Sequence, residues 1–307
     1  MGQVDVVVVS FNSRRHLRAC VDPLSQATGI NVVVVDNASS DGSLDSIGDL
    51  DVVRIPFPEN RGFAHGCNAG WRSGRAPFVL FLNPDAVIDQ ASVRTLVGLL
   101  DRDAKAGAVG PRIVNRDGLL EFSQRRFPRV CSTYARALFL HRLFPRVPWV
   151  DEVIRDENAY DRAGSPDWIS GACILVRRSL LERLEGLDED FFLYGEDKDL
   201  CRRLRDTGYE VRYEPRAVCV HEGGGSAPRA ALLPVLAASR LRYAEKHLTR
   251  PLIVLERLGV GLEALTHTLI ARTGSVRAGH ARSLPVVLGP ARGTVARRTV
   301  GGRPTAG

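Results

Sequence analysis

The chain has 307 residues, 44% hydrophobic and 25% charged, a globular composition with length for one large domain and an appendage or for two domains. No run approaches the roughly 20 apolar residues that a helix needs to cross a bilayer. The net charge of +7 is uneven: residues 228–307 hold 13 Lys/Arg against 3 Glu, a balance of +10, so a basic tail either faces something anionic or is simply solvated.

Val4–Val9 is a β-branched run ended by Ser10-Phe11-Asn12. The opening MGQVDVVVVS lacks a basic leader and sets Asp5 inside the apolar run, so no signal peptide is expected. Asn31–Val35 is a second run, ended by Asp36; Asp51–Ile55 is a third, ended by Pro56. Pro77–Leu82 is a fourth, and it stops at Asn83-Pro84-Asp85. Segments of helical length lie between them, such as Gly62–Ser73 and Gln90–Asp103. Short, continuously apolar strands alternating with helices predict an α/β fold with a mostly parallel sheet covered on both faces.

Such sheets bind ligands beyond the carboxyl ends of their strands. Asp85 ends a strand behind a proline that fixes its own φ and restricts Asn83, so the turn is stiff and the carboxylate is held in place. No G-x-G-x-x-G follows the first strand and no G-x-x-x-x-G-K-[ST] occurs, which argues against a dehydrogenase and a P-loop NTPase. Asp36 reads either as an acceptor for a base or ribose or as a cap.

In the second half, Glu196-Asp197 follow an aromatic, strand-like stretch and Gly195. Asp197 and Asp199 open an amphipathic helix with Leu200 and Leu204 inward and Arg202, Arg203 and Arg205 outward. The helix dipole favours acids there, so capping accounts for them as well as function does. Val218–Val220 is a short strand ended by His221-Glu222 and then Gly223-Gly224-Gly225-Ser226; a His at a strand end, like Asp85, suits a shared metal. The six cysteines form no C-x-x-C pair and sit in apolar stretches, as buried free thiols of a reducing compartment would.

Taken in order, VVVVSFNS, VVVVDNASSDGS, ENRGFAHGCNAG, VLFLNPDA, WISGACILVRRS, FFLYGEDKDLCRRLRDTGY and VHEGGGS resemble glycosyltransferase family 2, with its GT-A fold, and most of all its bacterial rhamnosyltransferase-type members. The resemblance covers about residues 3–226. It implies a catalytic domain over 1–227, with a nucleotide-sugar half of about 1–115 and an acceptor half of about 116–227. A helical, basic extension over 228–307 would follow, flexible after about 273.

The resemblance also implies roles. Ser10, Asn12 and Asp36 would line the base pocket; Asn60, Arg61, Gly62 and Asn68 would border the ribose and diphosphate. Asn83-Pro84-Asp85 stands where the family carries its DXD motif, so Asp85 would bind Mg²⁺ or Mn²⁺, with His221 as a further ligand. Asp197 would be the general base and Glu196 its neighbour in the acceptor site, while Trp168, Ser170 and Gly171 would shape the sugar and acceptor pocket. Asn83 in place of the first aspartate leaves the cation to Asp85, His221, diphosphate oxygens and water, which suits ions that keep waters and bind substrate phosphates.

The implied reaction is inverting transfer of a sugar, L-rhamnose from dTDP-rhamnose first, to a glycan or polyprenyl-diphosphate-linked acceptor in envelope synthesis. A UDP-hexose donor, or a nucleotide-sugar-binding protein without turnover, are the alternatives. The implied location is cytoplasmic, peripheral at the inner face of the membrane, with no nucleic-acid partner. In the tail, Leu252, Leu255, Leu258, Leu262, Leu265 and Leu269 share a helical face. That face would lie on an anionic leaflet, pack on the catalytic domain, or form a homodimer.

Overall fold

The computed structural model describes residues 3–223 and 228–289. Strands β1 (Val4–Ser10), β2 (Ile30–Asp36), β3 (Val53–Pro56) and β4 (Phe78–Leu82) are interleaved with helices α1 (Arg14–Ser25) and α2 (Phe63–Ser73). Then come β5 (Ala86–Ile88), α3 (Gln90–Arg102) and β6 (Ala106–Val114). A more irregular stretch holds β7 (Gln124–Arg125), α4 (Val130–Ala137), α5 (Leu140–Leu143) and β8 (Trp168–Ile169). The chain returns through β9 (Cys173–Arg177), α6 (Arg178–Arg183), α7 (Glu196–Asp206) and β10 (Glu210–His221). It closes with α8 (Arg229–His247), α9 (Arg250–Ile270) and α10 (Gly274–Leu288).

The main sheet has eight strands in the order β3-β2-β1-β4-β9-β6-β10-β5. It is mixed: β1, β2, β3 and β4 pair in parallel, as do β6 and β10, while β9 is antiparallel to both neighbours and β5 to β10. Side chains alternate across it. Val4, Val6 and Val8 pack with Leu17, Val21 and Leu96 on one face. Val7 and Val9 pack with Cys67, Trp71 and Leu204 on the other. Burial on both faces explains why β1, β2 and β4 read as apolar runs, while β3, at the sheet edge, is mostly exposed.

Three local expectations are corrected. The aromatic stretch before Gly195 is a series of bends, not a strand, because Phe191 and Phe192 turn inward and are buried. Arg203 and Arg205 do not simply point to solvent: Arg203 pairs with Asp199 and caps the Leu184 and Gly186 carbonyls, and Arg205 caps those of Pro166 and Asp167. All six cysteines are free; five are buried, but Cys131 is exposed in the first turn of α4.

Asp5, inside the apolar run, is fully buried and accepts from Arg178 at 2.6 Å, from Asn31 at 2.8 Å and from the Ala76 N–H at 2.8 Å. Arg178 also donates to the Trp71 carbonyl. The pair bolts β1 to the start of α6. Asp5→Ala leaves that guanidinium buried without its carboxylate, and should cost about 3–5 kcal/mol of stability in denaturant titrations.

The tail departs from its reading as flexible chain beyond about 273. Gly274–Leu288 is a helix packed on α8 and α9, with Gly279 against the Ala230 backbone and Val286 in a small core with Leu241 and Val260. Small residues allow this close approach, although Gly, Pro and Arg content suggested loose chain. Residues 290–307 and 224–227, including Gly224-Gly225-Ser226 of the glycine-rich run, lie outside the described residues.

Candidate active site

Ser10 and Asp36 end neighbouring strands in register. Both are buried. Both Asp36 oxygens already accept from Ser39, from its N–H at 2.9 Å and its hydroxyl at 2.6 Å, so the carboxylate caps its own turn. Asn12, at φ 51°, accepts from the Ser40 N–H at 2.9 Å and donates its own N–H to Ser39, tying the first two strand ends together.

The next residue, Asn37, was not singled out by sequence. It is buried, accepts from the Arg61 N–H at 2.9 Å and donates to the Gly62 carbonyl at 3.1 Å. Asn60 closes the same loop by accepting from the Gly62 N–H. Gly62 has φ 91°, and a Cβ there would stand 2.6 Å from the Phe192 carbonyl oxygen. That carbonyl accepts from the Phe63 N–H at 2.7 Å, so only glycine lets the start of α2 meet the aromatic loop before α7.

The carboxylate that follows the fourth strand, Asp85, is held by a turn. The Ala86 N–H donates to the Asn83 carbonyl at 3.0 Å, with Pro84 and Asp85 between, where a β-turn prefers proline. Antiparallel pairing of β5 with β10 then sets His221 opposite Ala86, and His221 Nε2 lies 3.3 Å from Asp85 Oδ1. His221 Nδ1 lies 3.0 Å from Glu121, and the Asn83 amide 3.5 Å from Nε2. Burial opposes a charged imidazole, but the hydrogen bonds to Asp85 and Glu121 prevail and push His221 up to about 9. Burial likewise raises Asp85, yet His221 outweighs it and holds the carboxyl below its ordinary value.

Among the described residues, no group of three or more His, Cys, Asp or Glu can hold a metal ion. A carboxylate and an imidazole at two strand ends nevertheless fit a hard divalent ion that takes its other ligands from phosphate and water.

Gly195, at φ 91°, starts α7, and Tyr194 before it has φ 67°, a strained value for a tyrosine. Asp197 accepts from the Gly171 N–H at 2.9 Å and the Lys198 N–H at 2.7 Å. A Cβ on Gly171 would come within 3.0 Å of Asp197 Cβ, so the glycine permits the approach. Burial raises the Asp197 pKa, and the two N–H donors partly offset the rise. Glu196 is 5% exposed, and its Oε2 is buried without a hydrogen-bond partner. Burial, then the neighbouring Asp197 charge, lifts Glu196 well above its ordinary 4.5.

A cavity of about 280 Å³ opens over these strand ends. It is lined by Asn60, Gly62, Asn83, Asp85, Ser170 and His221 from the sequence reading. Asn37, Tyr194 and Leu232 also line it. Asn37 was flagged only by following Asp36, Tyr194 by preceding Gly195, and Leu232, on α8, by nothing.

Ser10, Asn12, Asp36, Arg61, Trp168, Gly171, Glu196 and Asp197 are not among the lining residues. Asn68, expected beside the ribose, is a correction. Its amide is used up inside, donating to the Leu187 carbonyl and Glu189 and accepting from the Leu187 and Trp71 N–H groups. Trp168 is half-buried; its Nε1 donates to the Arg126 carbonyl, and the Lys198 ammonium lies 5.8 Å from its ring. Glu196, expected in the acceptor site, is buried with its Oε2 unpartnered and does not line the cavity. If it stays protonated, Glu196→Gln is an isosteric change. The folded state then binds one proton more than the unfolded state above pH ~4.5, so wild-type stability falls as pH rises there. The variant should lose that slope in pH-dependent melting and keep turnover near wild type.

A family model described as Glycosyl transferase family 2 matches residues 5–185. The chain belongs to glycosyltransferase family 2. This glycosyltransferase is 32% identical to the N-acetylglucosaminyl-diphospho-decaprenol L-rhamnosyltransferase of Mycobacterium tuberculosis over 73% of its own length and 77% of the relative's. It is 29% identical to the rhamnosyltransferase WbbL of Escherichia coli K12 over 52% of its length and 60% of WbbL. In fold it matches the Pyrobaculum calidifontis mannosyltransferase PcManGT, solved with GDP-Man and Mn²⁺, at TM-score 0.55 and 20% identity, covering 93% of this chain and 80% of that one. The glucosyl-3-phosphoglycerate synthase of Mycobacterium tuberculosis, solved with Mn²⁺, UDP and glucosyl-3-phosphoglycerate, gives TM-score 0.55 at 17% identity, covering 80% of each chain. The glycosyltransferase therefore has the GT-A fold. No helix among its described residues is long and apolar enough to cross a membrane.

Proposed function

We propose that this enzyme transfers L-rhamnose from dTDP-L-rhamnose to a lipid-linked acceptor sugar, with inversion at the anomeric carbon. The observation that carries the reading is the meeting of Asp85 and His221 at 3.3 Å on the floor of the cavity. Ser170 lines the same cavity, and its neighbour Gly171 holds Asp197. The likeness to a rhamnosyltransferase named for a diphospho-decaprenol acceptor supports the sugar and the acceptor class.

On this reading residues 1–227 carry the chemistry, with the donor in the half of about 1–115 and the acceptor in that of about 116–227. Asn37, Asn60 and Gly62 bind the donor by ordering the loop after β2 and the start of α2. Asp85 and His221 would hold Mg²⁺ or Mn²⁺, and such an ion when bound offsets negative charge on the departing diphosphate. Asp197 takes the proton of the acceptor hydroxyl, its basicity raised by burial. One base and one displacement suffice for inversion, without a second nucleophilic carboxylate. A lipid-linked acceptor puts the reaction at the inner face of the membrane.

Thermal shift with dTDP-rhamnose, UDP-sugars and GDP-sugars, each with and without Mn²⁺, tests the donor. The largest Mn²⁺-dependent rise should come from dTDP-rhamnose; a larger rise with a UDP-hexose would replace it as donor.

A further inference from the structure

The helix α9 is packed with its charged side inward. Glu256, Gly259, Val260, Glu263 and Ala264 are its buried residues. Glu263 pairs with Arg240 and Arg136, and Glu256 accepts from Thr133 and Arg240. Two buried carboxylates matched by two arginines decide the rotation of the helix, since leaving either charge unpaired inside costs more than exposing leucines.

The leucines are left outside. Leu255, Leu258, Leu265 and Leu269 are 43%, 60%, 47% and 72% exposed, and half-buried Leu262 completes their spacing into one stripe. A second exposed apolar segment follows α4 in the chain: Leu143, Phe144 and Trp149 are 71%, 54% and 51% exposed. The helix that leads into this segment, α4, is fastened to α9. The Tyr134 hydroxyl donates to the Leu255 carbonyl at 3.0 Å and the Thr266 hydroxyl to the Ala137 carbonyl at 2.8 Å, while Phe139 stacks on His267 at 4.4 Å.

Charge decides what covers such a surface. Residues 128–150 contain Arg129, Arg136, Arg142 and Arg146 and no Asp or Glu. Residues 248–289 contain five arginines, and their two carboxylates are the buried Glu256 and Glu263. The exposed side of both segments is apolar and cationic, without a carboxylate. A second copy of the chain would set like charges face to face, whereas an anionic leaflet attracts them.

We infer that the α9 stripe and residues 143–149 form one docking surface for an anionic lipid bilayer. The inference rests on the reading of a lipid-linked acceptor, which brings the enzyme to a bilayer. The contact is interfacial: leucines reach the acyl boundary, and Trp149 and the arginines stay among headgroups.

The test is co-sedimentation of the full chain with acceptor-free vesicles, either phosphatidylcholine alone or mixed equally with phosphatidylglycerol. Binding should need phosphatidylglycerol and weaken with salt. Leu258→Glu with Leu265→Glu should lower partition roughly tenfold per leucine. Arg142→Gln with Arg146→Gln should lower it roughly fivefold per arginine. These exposed positions should leave melting temperature and transfer to a water-soluble acceptor unchanged; if the leucine pair unfolds the chain, the arginine pair still decides. Absence of binding by the wild-type chain, or equal binding by both variants, overturns the surface. A dimer in ultracentrifugation that Leu258→Glu splits overturns it in favour of a second copy. Wild-type failure to glycosylate the water-soluble acceptor counts against the proposed chemistry and leaves the docking surface standing.

Discussion

Asp197→Asn is expected to lower turnover by about 10²–10⁴-fold, the usual worth of general-base assistance, with donor affinity retained. The donor is assigned to other groups, Asn37, Asn60 and Asp85, so its binding should not register the change. Stability should register it slightly. Asp197 accepts two backbone N–H bonds, from Gly171 and Lys198, and an asparagine can accept one of them while its amide group faces the other donor. That conflict costs about 1–3 kcal/mol, which a domain of ordinary stability, about 5–15 kcal/mol, survives. If Asp197 only caps α7, the same conflict would appear in the melting temperature while turnover at a temperature below melting stayed near wild type. The pH profile adds a check. Burial raises Asp197 above its ordinary 3.8, so the acid limb of turnover should lie above that value and disappear in the variant.

Asp85→Ala should abolish the dependence of nucleotide-sugar binding on divalent ions. Outer-shell partners of a metal ligand are worth about 10–100-fold in affinity, so loss of a direct carboxylate ligand should exceed ~100-fold in calorimetry with Mn²⁺. His221→Ala should cost less, since an imidazole contributes no charge to offset that of the ion. Unchanged Mn²⁺-dependent affinity in Asp85→Ala would remove that residue from the metal site.

Protons report on the same pair. His221 is raised from 6.5 to about 9 by Asp85 and Glu121 against burial. Its contribution to stability is therefore complete below pH 6.5 and lost as pH rises through about 9. A metal ligand must be deprotonated, so ion affinity should climb over the same interval as the proton leaves. His221→Ala should flatten that climb. An affinity independent of pH in the wild-type chain would show that His221 takes no part.

Much of the sheet was legible because its causes are local. The runs Val4–Val9, Asn31–Val35 and Pro77–Leu82 are β-branched or apolar apart from Asp5 and Asn31, as strands buried on both faces are, and they appear as β1, β2 and β4 within a residue or two. Asn83-Pro84-Asp85 was readable as a rigid strand end because proline restricts the chain wherever it stands. The order of seven such motifs was enough to point to the family.

Sequence could not pair residues that meet through folding. Asp85 and His221 touch because β5 lies antiparallel to β10, and Asn68 was drawn inside by the 187–189 loop, a neighbour that periodicity does not show. Leu232 reached the cavity because α8 folds back over the Phe192 loop, with Val235 buried against Phe192 and Ser239 donating to the Leu193 carbonyl. Spacing placed six leucines on one face of the helix over 250–270, but amphipathicity says that two faces differ, not which is buried. Tertiary structure decided that. Arg240 and Arg136, from two other helices, drew Glu256 and Glu263 inward, because a charge removed from water needs its partner far more than a leucine needs cover.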